Sequence, residues 1–425
     1  MINRTDRKFG SKRLFAVSLC TLAITFSPDQ SYAQALSFDD ALKRARLETP
    51  AIEARSLQIE AAQSAVIAAD QLPDPKLNLD LLDQRIAGPH RFSPRPGRNG
   101  FPRQRIGISQ EFPNQAKRRA RAEQALANVS AGRANKSQAV YDVNLYTALA
   151  WIDLYYAHRR LRILEILQES LDDLSDTVGG RIESGNTRPA QAFEPERLIA
   201  ELADRRSLRR SDIENAKANL ARWTGIEDPE INGTPPEINL ERSTLMDRID
   251  ELPIIEMQQA AIERAEANLK LARANKRPDF SVNASYMHRR PEYGEYVSVG
   301  VTIDLPLFAK KRQNPLIHAR MLEAEAARLE VKDLRLQLKA QLSSDLAKNR
   351  SYRENWERSK NTLLPLAQKQ AELERISYGA GRVDLATALN AAVTFAETEI
   401  DLLEREAALA RDSIRIKFTY AGGIK

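Results

Sequence analysis

Histidines are the residues of this 425-residue sequence that could most readily hold a metal ion. A protein metal site needs several ligands that converge on one point. No two histidines are spaced to share one helix face, and none lies in a dense cluster of carboxylates. His288, which follows Met287 at the end of a predicted strand, comes nearest. The sequence therefore predicts no metal site and no cofactor, and surface positions for His90, His158, His288 and His318.

Catalysis would require a nucleophile beside a base, a phosphate-binding loop or a matched pair of acids. None of these motifs occurs in the sequence. The carboxylates are numerous, but they alternate with Arg and Lys on segments that have the pattern of solvated helix faces. The sequence predicts that the chain is not an enzyme and has no catalytic residues.

Charged residues beside two glycines form a more promising site. Each glycine follows a long helical segment, and glycine commonly ends a helix because it adopts a positive φ. In an oligomer, charges beside such turns would form rings that close a passage and contact a partner. We hypothesise this role for Arg181, Glu183, Gly185 and Arg188 at the first turn, and for Tyr378, Gly381, Arg382, Asp384, Thr387 and Asn390 at the second.

Two basic runs open the predicted long helices, where the helix dipole disfavours cations. One interpretation is a solvated helix end. The other is contact with lipid phosphates at a membrane rim. The residues are Lys117, Arg118 and Arg119 in the first run, and Lys310, Lys311 and Arg312 in the second.

The first 33 residues have the pattern of a secretory signal peptide. A basic segment, residues 4–13, precedes an uncharged apolar stretch, residues 14–26, and Ser31-Tyr32-Ala33 offers a cleavage site. We therefore expect export. A lipid anchor on Cys20 is a competing interpretation, although the bulky Leu19 stands where a lipid-attachment motif has a small residue.

Cleavage would remove five basic and two acidic residues, so the formal net charge would fall from +6 to +3. It would also remove the only cysteine, and with it any disulfide or thiolate metal site. The remaining positive charges are interleaved with acids, so nucleic acid is not predicted as a partner.

The composition, rich in Ala, Leu, Glu, Arg and Gln, is typical of long helices. Beyond the leader, no apolar run approaches the ~20 residues of a transmembrane helix. Apolar residues instead recur every seven positions, which predicts coiled-coil packing. The rows are Val143, Ala150, Ala157, Leu164, Leu171 and Val178, then Ala386, Val393, Ile400, Ala407 and Ile414, with Leu389, Ala396, Leu403 and Ala410 beside it.

Four short segments alternate apolar and polar residues, which is typical of strands with lipid on one face and water on the other. A half-buried soluble strand is the alternative for any one of them. Gly107, Phe112-Pro113 and the basic run from Lys117 recur at an offset of 193 positions as Gly300, Leu305-Pro306 and the run from Lys310, so we infer two structural repeats. The repeats cover 34–224 and 253–425, joined by a linker at 225–252. We expect strands at 76–83, 103–112, 279–287 and 296–307, long helices at 114–181 and 310–377, tip turns near 185 and 381, and returning helices at 190–223 and 384–418.

The sequence resembles the TolC family of outer membrane factors over essentially its whole mature length. The landmarks in the first half are Leu36-Ser-Phe-Asp-Asp-Ala-Leu, Thr49-Pro50 and Leu72-Pro73-Asp74-Pro75. In the second half they are Arg277-Pro278-Asp279-Phe280, Asp304-Leu305-Pro306-Leu307-Phe308 and Tyr378-Gly379-Ala380-Gly381.

The resemblance implies a mainly α fold with a β-hairpin in each half. A homotrimer would complete an outer-membrane β-barrel above a periplasmic coiled-coil tunnel. It also implies partners, namely a periplasmic adaptor and an inner-membrane pump, in a Gram-negative bacterium. Family members often carry acidic residues where this chain has Thr387 and Asn390, so the usual carboxylate ring is missing and Asp384 is its expected substitute.

Within the family, Gln110-Glu111-Phe112-Pro113 before a basic run most resembles the cobalt–zinc–cadmium branch. That resemblance implies efflux of divalent heavy-metal cations. Export of drugs or other small organic molecules is the alternative within the same fold. A soluble periplasmic coiled-coil adaptor is the alternative of another class.

Overall fold

The chain is mainly helical, with one small sheet. The predicted leader with Cys20 and the turn around Gly185 lie outside the residues that this computed structural model describes. Those residues are 35–83, 86–88, 91, 103–176, 193–289 and 294–422.

The first half supplies four helices and two strands. Helix α1 is capped by the Ser37 hydroxyl, which accepts a hydrogen bond from the Asp40 amide at 3.2 Å. Helix α2 begins at Pro50, a favoured first position because its missing N–H has no partner there anyway. The elements are α1 (Phe38–Glu48), α2 (Pro50–Ala69), β1 (Lys76–Leu82), β2 (Arg103–Phe112), α3 (Gln115–Asp176) and α4 (Phe193–Thr224).

The second half repeats this order after a short connecting segment. A single helical turn, Ile249–Glu251, leads into a helix that again begins with proline, Pro253. The elements are α5 (Arg242–Asp247), α6 (Pro253–Ala274), β3 (Asp279–His288), β4 (Tyr296–Asp304), α7 (Gln313–Arg358), α8 (Leu364–Gly379) and α9 (Leu385–Ala421).

The long helix expected at 310–377 is wrong in detail, because a π-helical segment, Ser359–Leu363, divides it into α7 and α8. Pro365 causes this division. Its ring would collide with the carbonyl four residues earlier, and a wider turn relieves that collision. The strand expected to reach residue 307 also ends earlier, at Asp304, because Pro306 cannot donate to a ladder.

The four strands form one antiparallel sheet in the order β1-β2-β3-β4. The pairing of β2 with β3, for example Gly107 with Ser285, unites the two halves of the chain. All four strands connect to helices at the same end of the sheet. The opposite ends are joined within each half by the segments 83–102 and 289–295.

The centre of the bundle is built around Trp151 on α3, which is completely buried. Its indole Nε1 donates to the Leu36 carbonyl at 3.0 Å, and its ring meets Phe38 edge to face at 5.5 Å. The heptad row of α3 is buried at Val143, Ala150, Ala157, Leu164 and Leu171, and the row of α9 is buried at Leu389, Ala396 and Leu403. Among the described residues, no helix combines the length and apolar character needed to cross a membrane.

A buried polar cluster fastens α9 to α7. The Asp345 carboxylate, 5% exposed, accepts hydrogen bonds from Arg415 at 2.9 and 3.1 Å and from the Tyr420 hydroxyl at 3.0 Å. Asn349 donates to Asp412 at 3.0 Å, and Asp412 also accepts from Arg415 at 2.9 Å. Burial alone would raise the pKa of Asp345, but hydrogen bonds from Arg415 and Tyr420 outweigh it, so the pKa lies below its ordinary value.

We expect Asp345→Ala to lower the free energy of unfolding by about 2–4 kcal/mol, because the Tyr420 hydroxyl loses its acceptor and the Arg415 guanidinium keeps Asp412 but loses Asp345. Chemical denaturation of the purified protein in detergent, followed by circular dichroism, would measure the change. The exposed Asp204 on α4 provides a matched control, since Asp204→Ala removes a carboxylate from the bundle surface.

The decrease in the free energy of unfolding caused by Asp345→Ala should depend on pH. Folding lowers the pKa of this carboxyl, so its stabilisation is complete above the unfolded value of about 4 and disappears as the pH falls through the folded value. A destabilisation of equal size at neutral pH and well below pH 4 would contradict the role assigned to the charge.

Candidate functional site

One face of the sheet carries mostly apolar side chains on all four strands, with Gln104, Gln110 and His288 as its polar members. The register aligns Leu79 with Ile106, Ile106 with Tyr286, and Tyr286 with Val297 in one transverse row. A neighbouring row consists of Leu77, Ile108, Ala284 and Val299, and the row nearest the helices ends with Phe112, Phe280 and Ile303.

These apolar side chains have no covering layer in the single chain. Val297 is 75% exposed, Val299 73% and Leu79 71%. Exposed apolar surface of this continuity marks a region that contacts lipid or protein, because water would solvate it at a high cost in free energy.

The opposite face of the sheet is polar. Arg105 contacts Asp80 on the neighbouring strand at 2.8 Å, and Lys76 forms an ion pair with Glu111. On this polar face, the Asn283 side chain lies directly over Gly300. A Cβ added at Gly300 would lie 2.6 Å from the Asn283 side-chain oxygen. A sheet with one apolar and one hydrogen-bonding face has the two surfaces that a strand between lipid and water requires.

The turn around Gly381 lies at the far end of the bundle from the sheet. Helix α3 alone contains 62 residues, which corresponds to a length of about 90 Å. At the turn, the Arg382 amide donates to the Ser377 carbonyl at 2.9 Å, and the Gly381 amide donates to the Tyr378 carbonyl at 3.0 Å. These are the two bonds of a Schellman motif, and the φ of +72° at Gly381 is the left-handed conformation that the motif requires.

Asp384 begins the returning helix α9. Its carboxylate accepts a hydrogen bond from the Thr387 amide at 3.0 Å and another from the Thr387 hydroxyl at 2.6 Å. The carboxylate is therefore an N-cap, a role that the charge hypothesis did not foresee. Two signals in the sequence would have revealed it: the Gly-x-x-Asp spacing and a threonine three positions after the aspartate.

The side chains of the second predicted turn differ in burial. Tyr378 is buried in an apolar cluster that also contains Leu385 and Leu389. Arg382, Asp384, Thr387 and Asn390 are all exposed at the end of the bundle. The residues of the first turn, Arg181, Glu183, Gly185 and Arg188, lie outside the described part of the chain.

The basic runs lie where the helices meet the sheet, but their members differ in environment. Lys117 is bound by Asp279 at 2.6 Å, and Asp279 also accepts the Asn114 amide at 2.7 Å and its side chain at 2.8 Å. Arg118 is half-buried and lies 4.0 Å from Asp70. The remaining members, Arg119, Lys310, Lys311 and Arg312, are exposed.

The sequence did not predict the binding of Lys117 by Asp279, because 162 positions separate the two residues. The Pro-Asp pair, present as Pro73-Asp74 and again as Pro278-Asp279, was a signal for the position of Asp279 but not for its partner. It marks both segments that lead into the first strand of a hairpin.

The three described histidines, His158, His288 and His318, lie on different elements, and His90 lies outside the described residues. His288 contacts Glu295 at 3.3 Å across the end of the second hairpin, and both side chains are about half exposed. Burial, aided by Lys217, lowers the pKa of His158 and favours its neutral form. Across the described ranges, no three His, Cys, Asp or Glu side chains are grouped as metal ligands would be.

Solved structures share this fold over 91% of the chain. The CmeC outer membrane channel of Campylobacter jejuni matches with a TM-score of 0.71 at 13% identity, over 86% of its own length. CusC, whose structures concern folding and transmembrane channel formation, matches with a TM-score of 0.73 at 15% identity, over 92% of its length. The open state of the MtrE outer membrane channel of Neisseria gonorrhoeae matches with a TM-score of 0.73 at 16% identity, over 89% of its length.

No curated protein matches the sequence significantly. The model of the outer membrane efflux protein family matches residues 249–422, which include α6, the second hairpin and the helices that follow it. The chain thus has the fold of outer membrane channels, and its second half matches the outer membrane efflux protein family.

Proposed function

We propose that the chain is the outer-membrane channel subunit of a tripartite efflux system. It would conduct cargo from a periplasmic adaptor and an inner-membrane pump to the exterior. The observation that carries this proposal is the sheet, with an uncovered apolar face and a polar face, at one end of a helical bundle in which α3 alone is about 90 Å long. The family match and the shared channel fold support it.

We infer that the channel is a trimer. Strands β1 and β4 are the edges of the sheet, and unpaired strand edges are not tolerated in lipid. Pairing β4 of one copy with β1 of the next would satisfy both edges. Three copies would give about twelve strands, within the known range of membrane barrels, with the helices forming a tunnel in the periplasm.

The cargo that we propose is divalent heavy-metal cations, on the sequence resemblance to the cobalt–zinc–cadmium branch. The dispersed histidines are compatible with a conduit, because cargo must leave as readily as it enters. Drugs or other small organic molecules are the alternative cargo. A soluble adaptor is the alternative of another class, and the uncovered apolar sheet face argues against it.

We also propose that the exposed residues at the Gly381 turn, Arg382, Asp384, Thr387 and Asn390, form part of the periplasmic gate and the adaptor contact. Around a trimer axis, Arg382 and Asp384 would each be present three times. In this proposal their charges attract across the closed tip, together with Arg181, Glu183 and Arg188 of the first turn.

The membrane role of the sheet can be tested with one charge placed on either face. Val299→Lys should abolish assembly into the outer-membrane fraction, because a lysine facing the lipid near the bilayer midplane costs about 2–4 kcal/mol per chain. Fractionation and immunoblotting of heat-modifiable oligomers would measure assembly. The neighbouring Ser298→Lys, on the polar face, is the matched control and should assemble normally.

For a soluble adaptor, the opposite result is expected. Val299 would then face water, and lysine there would be harmless. Normal yield and unchanged fractionation of the Val299→Lys protein would therefore contradict the outer-membrane proposal.

The cargo proposal predicts a specific growth defect in a strain without the gene. Growth should fail at lower concentrations of zinc, cobalt or cadmium, because the exit route for these cations is missing. Graded plates with each metal, dyes and antibiotics, with and without a plasmid copy, would measure the defect. Sensitivity confined to dyes and antibiotics would agree with the channel proposal but contradict the metal cargo, and would indicate small organic molecules as the cargo.

The gate proposal predicts that removing charge at the tip raises leak through the closed channel. Asp384→Asn retains an N-cap acceptor but loses the charge, whereas Asp384→Ala loses both. We expect both variants, and Arg382→Gln, to increase closed-state conductance in planar bilayers and sensitivity to large antibiotics, because each removes one attraction across the tip.

Lys369→Gln, at an exposed site on α8, is the control for a charge change within the same hairpin. If only Asp384→Ala leaks, the carboxylate acts as a helix cap worth about 1 kcal/mol and the charged gate is contradicted.

A further inference from the structure

A cavity of about 580 Å³ lies where β3 and β4 meet the start of α7. One side is lined by polar groups, and the other is formed by the segment that leaves β4. The lining residues that matter here are Arg277, Arg312, Asp304, Leu305, Leu307 and Phe308.

The polar side of the cavity has an excess of positive charge. Lys117 also lines it, but the 2.6 Å ion pair with Asp279 neutralises that cation. Over the described ranges, Arg277 and Arg312 have no hydrogen-bonding or ionic partner for their guanidinium groups. Asp304 is the one remaining carboxylate in the lining, so two arginines face one acid.

One further feature, on the turn that precedes α7, favours an anion at this place. Lys310 and Lys311 are exposed on the adjoining turn, where they add long-range attraction for negative charge.

The apolar side of the cavity continues the lipid-facing surface of the sheet. Ile303 ends that surface at 56% exposed, and Leu305, Leu307 and Phe308 follow it at 62%, 77% and 69%. The site thus has cationic groups at one end and uncovered apolar groups at the other. A free anion would use the first feature and leave the second unexplained.

We propose that this cavity binds an anionic phospholipid of the periplasmic leaflet, with its phosphate between Arg277 and Arg312 and its acyl chains against Leu307 and Phe308. The inference rests on the proposed outer-membrane location and names a lipid partner for the lower edge of the sheet. Charge complementarity and continuity with the apolar sheet face support this occupant. The sequence predicted Lys117 as a lipid-phosphate contact. In this proposal Arg277 takes that role, because Lys117 is paired with Asp279.

The test uses the full chain purified in detergent and titrated with phosphatidylglycerol, with bound lipid counted by native mass spectrometry. The double variant Arg277→Gln, Arg312→Gln should bind phosphatidylglycerol at least about tenfold more weakly, because it loses two charge-assisted contacts to the phosphate. The control is Arg264→Gln, Arg353→Gln, which removes two exposed arginines on α6 and α7 and should leave binding unchanged.

Two further measurements separate a lipid from a free anion. Leu307→Gln with Phe308→Gln should weaken phosphatidylglycerol binding while leaving binding of glycerophosphoglycerol, which has no acyl chains, unchanged. Inorganic phosphate at matched concentration should not displace the lipid. Full displacement by inorganic phosphate would overturn the lipid assignment, and unchanged phosphatidylglycerol binding by the arginine double variant would overturn the site.

Failure of this inference can be distinguished from failure of the proposed function. Wild-type protein that assembles in the outer membrane but shows no arginine-dependent lipid binding would reject the cavity alone. Wild-type protein that never enters the outer-membrane fraction would reject the proposed function and this inference together.

Discussion

The pairing of β2 with β3 is the constraint on which the rest of the molecule depends. It joins strands from different halves of the chain, for example Ile108 to Ala284, and so fixes all four strands in one register. Because every strand then meets its helix at the same end of the sheet, the ends of α2 and α6 and the starts of α3 and α7 must lie side by side. A slip of one residue in this pairing would move the apolar side chains of one hairpin to the polar face and destroy the uniform surface.

Side-chain contacts between distant elements reinforce this arrangement at two levels. At the base of the sheet, Asp279 binds Asn114 and Lys117, which connects the start of β3 to the start of α3. Further down the bundle, Asp345 binds Arg415 and Tyr420, which connects α7 to α9. Both aspartates accept hydrogen bonds from residues of another element, and these two polar contacts help to fix how the elements pack.

Much of the fold could be predicted from local patterns, and the prediction of a mainly helical chain is confirmed. Alternation at Val297–Ile303 indicated a two-faced strand, and the seven-residue rows indicated which sides of α3 and α9 pack. Gly381 marked its turn because a Schellman motif needs a positive φ there. The partners of Asp279 and Asp345 could not be predicted, because each lies more than 60 positions away and no periodicity relates the partners. Pro365 predicts a kink in the second long helix, but the sequence does not predict that it takes the form of a π-helical segment.

That segment has a consequence for the surfaces that the hairpin presents. An α-helix advances about 100° per residue, so one residue added to a turn rotates all side chains beyond it by about that angle. Beyond this segment, among the described residues, α8 packs mainly on α9. The sequence after Leu363 is thus out of phase with the sequence before Ser359, and the lower part of the hairpin turns a different set of side chains toward its neighbours than an unbroken helix would.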